Sequence, residues 1–275
     1  MFKVNTNVIG IGKKCACAVD RLAKSNMPDI RTAVFLPGEE NINSSADYVF
    51  SSKHDFLEVA DKFFASSETA VFVLADCSDM LEISLACELS FITARMGGFS
   101  VVLSCMPSAN SDKYSSACEA LEELHECFDG VVRFNESYCD GFDSEVTGFF
   151  RVMSGAMSSE ARVGICGFEE LKKLFSLHKD IYFASVVGDE AWDSHKYRAK
   201  CLEMKLCGQT YVDIANCLNF FYLSGERAKD EIINIYAEPL KKINIAFMNR
   251  STTYVSDNIS HMEKGEFIFA VMCSE

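Results

Sequence analysis

The residues of this chain best able to do chemistry fall in two short segments. Asp76, Asp79 and Glu82 follow directly on the apolar run 70–75, with Ser78 among them. Near the start, VIGIGKKCACAVDRL places Gly10 and Gly12 after an apolar run, then Lys13 and Lys14 at the head of a helical pattern. A strand, a glycine turn and a helix let backbone amides approach an anion at the helix N-terminus, as in dinucleotide-binding turns. The third glycine of that fingerprint is missing, so ordinary tight-turn glycines remain open beside a nucleotide site. The lysine pair reads either as an anion holder or as a solvated pair at a helix start.

The carboxylates point the other way. Asp79 followed by Glu82 reads as a capping box, in which Asp79 accepts from the free amides of the helix and Glu82 reaches back. Donors that would hold a phosphate are then taken by the protein itself. Like charges about 5 Å apart at an effective dielectric near 20 also cost roughly 3 kcal/mol per pair. No cysteine chemistry competes for attention: 13 cysteines lie mostly in apolar segments, for example Cys105, Cys217 and Cys273, without a Cys-x-x-Cys. Neither Cys15-Ala16-Cys17 nor His125-Glu126-Cys127 has a second half at zinc spacing. Buried reduced thiols and no metal site are expected.

Net charge is −14 over 275 residues. Residues 51–150 hold 18 acidic and 5 basic side chains, against 17 and 15 in residues 151–275. Such a surface repels phosphate backbones and anionic lipids, which speaks against nucleic-acid binding and peripheral membrane attachment. With 49% apolar residues and 4 prolines, the chain has the composition of a globular protein with a large core. No apolar run reaches the roughly 20 residues of a membrane span, and the N-terminus lacks a leader pattern, so a soluble, cytoplasmic protein is expected.

Elements that must position these residues follow from periodicity. Strands are expected at Phe2 to Ile11, Thr32 to Leu36, Ala70 to Ala75, Phe99 to Cys105 and Val131 to Phe134. Helices are expected at Cys15 to Lys24, Leu57 to Phe64, Asp79 to Arg95 and Ser115 to Phe128, and residues 39–52 read as a loop. Short buried strands alternating with helices predict an α/β fold, a doubly wound, Rossmann-like parallel sheet over residues 1–140. A helix and connecting loop over 141–166 lead into a smaller α+β domain over 167–275. That domain has helices at Glu169 to Leu177, Trp192 to Met204 and Glu226 to Tyr236. Its strands are expected at Ile181 to Val187, Tyr211 to Leu218, Ile243 to Met248 and Glu266 to Met272.

The whole order resembles the FtsZ branch of the tubulin/FtsZ superfamily. VIGIGKKCACAVDRL is similar to the family's first phosphate loop at Gly10, Gly12, Ala18, Val19 and Arg21. Residues 71–102 align on the strand, signature loop and helix that follow. Phe149-Phe150-Arg151 resembles the functional part of the central helix. Gly167-Phe168-Glu169-Glu170-Leu171 resembles the loop and helix that complete a neighbouring subunit's active site, and residues 184–275 follow the order of the second domain. The resemblance implies GTP at Gly10, Gly12, Lys13, Lys14, Asp76, Ser78, Asp79, Arg151 and Ser154, with Glu170 as the catalytic carboxylate.

Against the family pattern, the glycine-rich signature reads Ser78-Asp79-Met80-Leu81-Glu82-Ile83-Ser84, without a glycine. The guanine-recognising Asn and Asp become Ser154 and Gly155, and one of the two catalytic aspartates becomes Gly167. Residues 36–65 are too short for the third phosphate loop. Glu169 and Glu170 also read simply as first-turn acids complementing a helix dipole. The expectation is therefore an FtsZ-like cytoskeletal or cell-division-type protein that has lost GTP binding and hydrolysis, needs no cofactor, and serves as an interaction or assembly module. Its expected partners are copies of itself, head to tail, or an FtsZ-type protein, and the end at Glu275 leads to no expected membrane anchor. The alternative is a divergent GTP-hydrolysing polymer protein with GTP and Mg²⁺ as cofactors.

Overall fold

A computed structural model describes residues 5–25, 27, 29–39, 43–52, 54–57, 69–135, 141–157, 168–176, 180–189, 216–223, 251–257 and 266–274. The chain divides into two compact units, one of residues 1–150 with 175–180, the other of residues 151–174 with 181–275.

In the first unit the apolar runs form parallel strands β1 (Asn5–Ile11), β2 (Ile30–Phe35), β3 (Tyr48–Phe50), β4 (Thr69–Asp76), β5 (Phe99–Met106) and β6 (Gly130–Asn135). Their order is β3-β2-β1-β4-β5-β6. Between them run α1 (Gly12–Lys24), α2 (Met80–Arg95) and α3 (Tyr114–Cys127), and α4 (Phe142–Met157) follows β6. Side chains alternate along each strand, so register assigns the faces. Ile9, Val71, Val73, Val102 and Val131 face one way and pack with Ile83 and Ala86 of α2 and Ala117 and Leu124 of α3. Val8 pairs with Phe72 on the opposite face, where Phe72 meets Phe149 and Phe150 of α4. On that same face, a Cβ on Gly10 would strike the Cys15 carbonyl and Val19 of α1. Helices thus cover both faces, as the doubly wound reading requires.

The second unit has α5 (Phe168–Phe175), whose last residue belongs to the first unit, and strands β7 (Asp180–Asp189), β8 (Asn216–Leu223), β9 (Ser251–Asp257) and β10 (Glu266–Ser274). β10 lies antiparallel between β7 and β8, and β9 runs parallel to β8. The smaller α+β domain is therefore present. The unit boundary falls inside α4, between Phe150 and Arg151.

Several local expectations change. Residues 39–52, read as a loop, contain β3. Asp47 anchors it by accepting from the Thr32 N–H at 2.8 Å and the Thr32 hydroxyl at 3.0 Å, and Phe50 packs edge-on to Phe56. The strand expected at Tyr211 to Leu218 is met at Asn216 and runs on to Leu223, residues 211–215 lying outside the described residues, and β9 was not expected at all. The helices expected at Trp192 to Met204 and Glu226 to Tyr236, the strand at Ile243 to Met248, and most of the helix at Leu57 to Phe64 fall outside the described residues. Cys15, Cys77, Cys87 and Cys105 are buried free thiols, whereas Cys17 is exposed. Among the described residues no group of His, Cys, Asp and Glu is arranged to hold a metal ion, and no helix is long and apolar enough to cross a membrane. Part of the acidic excess lies away from the candidate site, on Glu119, Glu122, Glu123 and Glu126 along the exposed side of α3.

Candidate functional site

β1 is the strand at which the sheet order reverses, with β2 on one side and β4 on the other. The crevice at the carboxyl ends of such strands is where ligands bind in open α/β sheets. Here those ends are Ile11 of β1 and Asp76 of β4, and the β1–α1 and β4–α2 turns lie above them.

The β4–α2 turn has its backbone donors occupied. The Asp76 N–H donates to Glu82 Oε2 at 3.1 Å, the Cys77 N–H to the Cys105 carbonyl at 3.0 Å, and the Ser78 N–H to Asp76 Oδ1 at 2.9 Å. The Asp79 N–H goes to the Asp76 carbonyl at 3.0 Å and the Ile83 N–H to the Asp79 carbonyl at 3.2 Å. Asp79 is the extended N-cap of α2, and its Oδ1 accepts from Leu81 N–H at 2.9 Å and Glu82 N–H at 3.4 Å. The cap agrees with the sequence reading. Glu82 differs from it: a capping-box Glu bonds the N-cap amide, but the Asp79 amide is already satisfied by Asp76, so Glu82 reaches further back to the Asp76 amide.

That reach brings the Glu82 carboxyl against Gly12. Gly12 has φ +75°, the left-handed region that favours glycine, and a Cβ there would land on Glu82 Oε1. No side chain caps α1 at Ile11. The Glu82 carboxyl therefore lies where the helix dipole favours a negative group. Lys14 Nζ meets Asp76 Oδ2 at 3.2 Å, half-buried, so one ammonium serves a neighbourhood of three carboxylates. Burial is the main cause that lifts the Glu82 carboxyl to about pH 7, and the nearby Asp76 and Asp79 add to it against the Asp76 amide and Lys14. The buried Cys15 and Cys77 thiols beneath are raised, Cys77 to about 12, chiefly by desolvation, so they stay protonated and are poor nucleophiles.

No protein-family model matches this sequence, and no curated protein does either. Solved structures do match. An empty FtsZ dimer from M. jannaschii superposes with a TM-score of 0.76 at 13% identity, over 100% of this chain and 89% of that one. This chain has the FtsZ/tubulin fold. CetZ2 from Haloferax volcanii, a GTPγS-bound protofilament, matches with a TM-score of 0.69 at 12% identity, over 98% of this chain and 92% of that one. TubZ from Bacillus thuringiensis serovar israelensis, in GDP-form protofilaments, matches with a TM-score of 0.67 at 11% identity, over 99% and 89%.

On this FtsZ-type fold the expected site residues separate into two sets. Gly10, Gly12, Lys14, Asp76, Ser78 and Asp79 gather at the β1 and β4 ends. Lys13 points outward to Glu39 at 2.8 Å, and with both side chains well exposed that pair contributes little. Arg151 and Ser154 lie on α4 and Glu170 on α5, all in the second unit. Glu82 was not among the nucleotide contacts that the resemblance implies. Its signal was present as the second half of the capping box, but the sequence held no sign that Gly12 would lie beside it.

Proposed function

We propose that this protein is an FtsZ-like assembly or interaction module that works without binding or hydrolysing GTP. One observation carries the reading: the amides of residues 76–79 and 81–83, where the resemblance calls for a phosphate cradle, already donate within the protein, and the Glu82 carboxyl lies over Gly12. A phosphate entering there would have to displace one carboxyl and face two more, at roughly 3 kcal/mol for each like-charged pair. The Ser154 and Gly155 pair, standing where the resemblance calls for guanine contacts, supports the same conclusion.

What remains is protein surface. The FtsZ neighbour is a dimer and the CetZ2 and TubZ neighbours are protofilaments. A head-to-tail contact between identical chains, extended in one direction, gives a filament, and a chain with one competent end caps one. Self-association of this kind, or docking on an FtsZ-type partner, is the activity we assign, in a cytoplasmic setting. A GTPase reading is favoured by a single feature, the α1 N-terminus without a side-chain cap and with Lys14 beside it. Sedimentation over rising protein concentration, with and without GTP and Mg²⁺ and with released phosphate assayed, separates the two. Assembly indifferent to GTP, with no phosphate released, is expected; assembly that requires GTP and releases phosphate would establish the GTPase reading instead.

A further inference from the structure

We propose that the Glu82 side chain is a proton-operated latch that fastens the β4–α2 turn over Gly12. This rests on the reading that the crevice is closed by the protein's own carboxyls, and it names what controls the closure. The geometry is a bridge between strands that are neighbours in the sheet. Glu82 belongs to the first turn of α2, accepts from the Asp76 amide at the end of β4 at 3.1 Å, and lies against Gly12 at the start of α1.

The charges facing it decide how it behaves. Lys14 and the Cys15 thiol come from α1, Asp76 from the end of β4, and Asp79 from the start of α2 itself. Burial raises the Cys15 thiol and keeps it neutral, and the Lys14 ammonium is held by Asp76. A negative charge on Glu82 lies half-buried beside the Asp76 and Asp79 carboxyl groups, which disfavour it, opposed by the Asp76 amide, Lys14 and the α1 N-terminus. A protonated Glu82 keeps its carbonyl oxygen as acceptor for the Asp76 amide without that repulsion. Ionised, it gains by swinging into water, which frees both the Asp76 amide and the space over Gly12. The raised affinity of Glu82 for its proton, to about 7, puts this transition near neutrality. The sign follows: a carboxyl whose folded-state value is raised contributes stability fully present below its unfolded value, near 4.5, and lost as pH rises through about 7.

Hydrogen exchange at the Asp76 amide, corrected for intrinsic rate, reads the latch directly on the full chain without nucleotide. In the wild type, protection is expected to fall about tenfold between about pH 6 and about pH 8.5, while Glu82→Gln, a permanent mimic of the protonated form, keeps its protection throughout. Glu82→Ala, which has no acceptor, is expected to show the low protection at both values. Wild-type protection that is flat across this range, or Glu82→Ala as protected as the wild type at the lower pH, would overturn the latch. The functional reading fails separately: GTP binding to the wild type at the lower pH would refute it whatever the exchange data show.

Discussion

Phe72→Ala is expected to destabilise the protein by about 3–5 kcal/mol, the range for emptying a buried aromatic site. Phe72 is fully buried at the middle of β4, and its ring meets those of Phe149 at 5.9 Å, Phe150 at 5.2 Å and Phe175 at 6.5 Å, all near edge-on. No neighbouring group can collapse into the hole without giving up its own ring contacts, so the cavity term stays large. Since domains of this size have about 5–15 kcal/mol in total, the variant should lose a large share of its stability and melt roughly 10 °C lower. Phe72→Leu should cost less than half as much, because most of the volume is kept. Urea denaturation monitored by circular dichroism checks both. A loss below about 1 kcal/mol for the alanine variant would mean that the α4 side of the sheet is not packed as described.

The second large effect concerns a charged cluster in the first unit. Asp180, at the start of β7, accepts from His125 at 2.7 Å and from Arg133 at 3.0 Å, and Arg133 in turn donates to the Tyr114 hydroxyl at 3.2 Å. The side chains of Asp180, His125 and Arg133 are all largely enclosed. Asp180→Ala takes away the carboxylate that meets the enclosed Arg133 guanidinium at 3.0 Å, and breaking an enclosed ion pair of this kind costs about 3 kcal/mol or more. The pH dependence has a defined sign. Burial alone would raise the Asp180 carboxyl, but the His125 and Arg133 hydrogen bonds and charges outweigh it and hold it below its usual value of 3.8. A carboxyl held low contributes stability above that value and loses it as pH falls through its folded-state value. Acid unfolding of the wild type should therefore include a step below about pH 4 that Asp180→Asn lacks. Equal acid limbs for the two proteins would show the cluster to be indifferent to charge.

The order of elements was legible because the central strands of the first unit contain short apolar runs and helices such as α1 and α3 carry an amphipathic period. Thr69–Asp76 and Phe99–Met106 declare themselves in this way. β3 and β9 did not, for a physical reason. β3 has three residues at the sheet edge, held by Asp47 and Thr32, and β9 reads Ser-Thr-Thr-Tyr-Val-Ser-Asp, with β8 as its one paired neighbour among the described strands. Strands with one neighbour need less apolar surface, so their pattern is weak.

The site divides along the same line. The Asp79 cap is a local interaction and was readable from Asp-x-x-Glu spacing. The destination of Glu82 was not, because it depends on the Asp79 amide being taken by Asp76 and on β1 lying beside β4, a pairing between distant segments. The acidic excess of residues 51–150 is likewise only partly a property of this turn, since the glutamates of α3 share it.

Calorimetric titration of the full chain with GTP at about pH 6, where Glu82 stays over Gly12, with and without Mg²⁺, decides whether the crevice holds a nucleotide. No saturable binding is expected up to about 1 mM GTP, in either condition. Saturable binding with a dissociation constant near 1 µM would contradict it, because the ligand would then have to displace Glu82 from Gly12 and offset two further carboxylates.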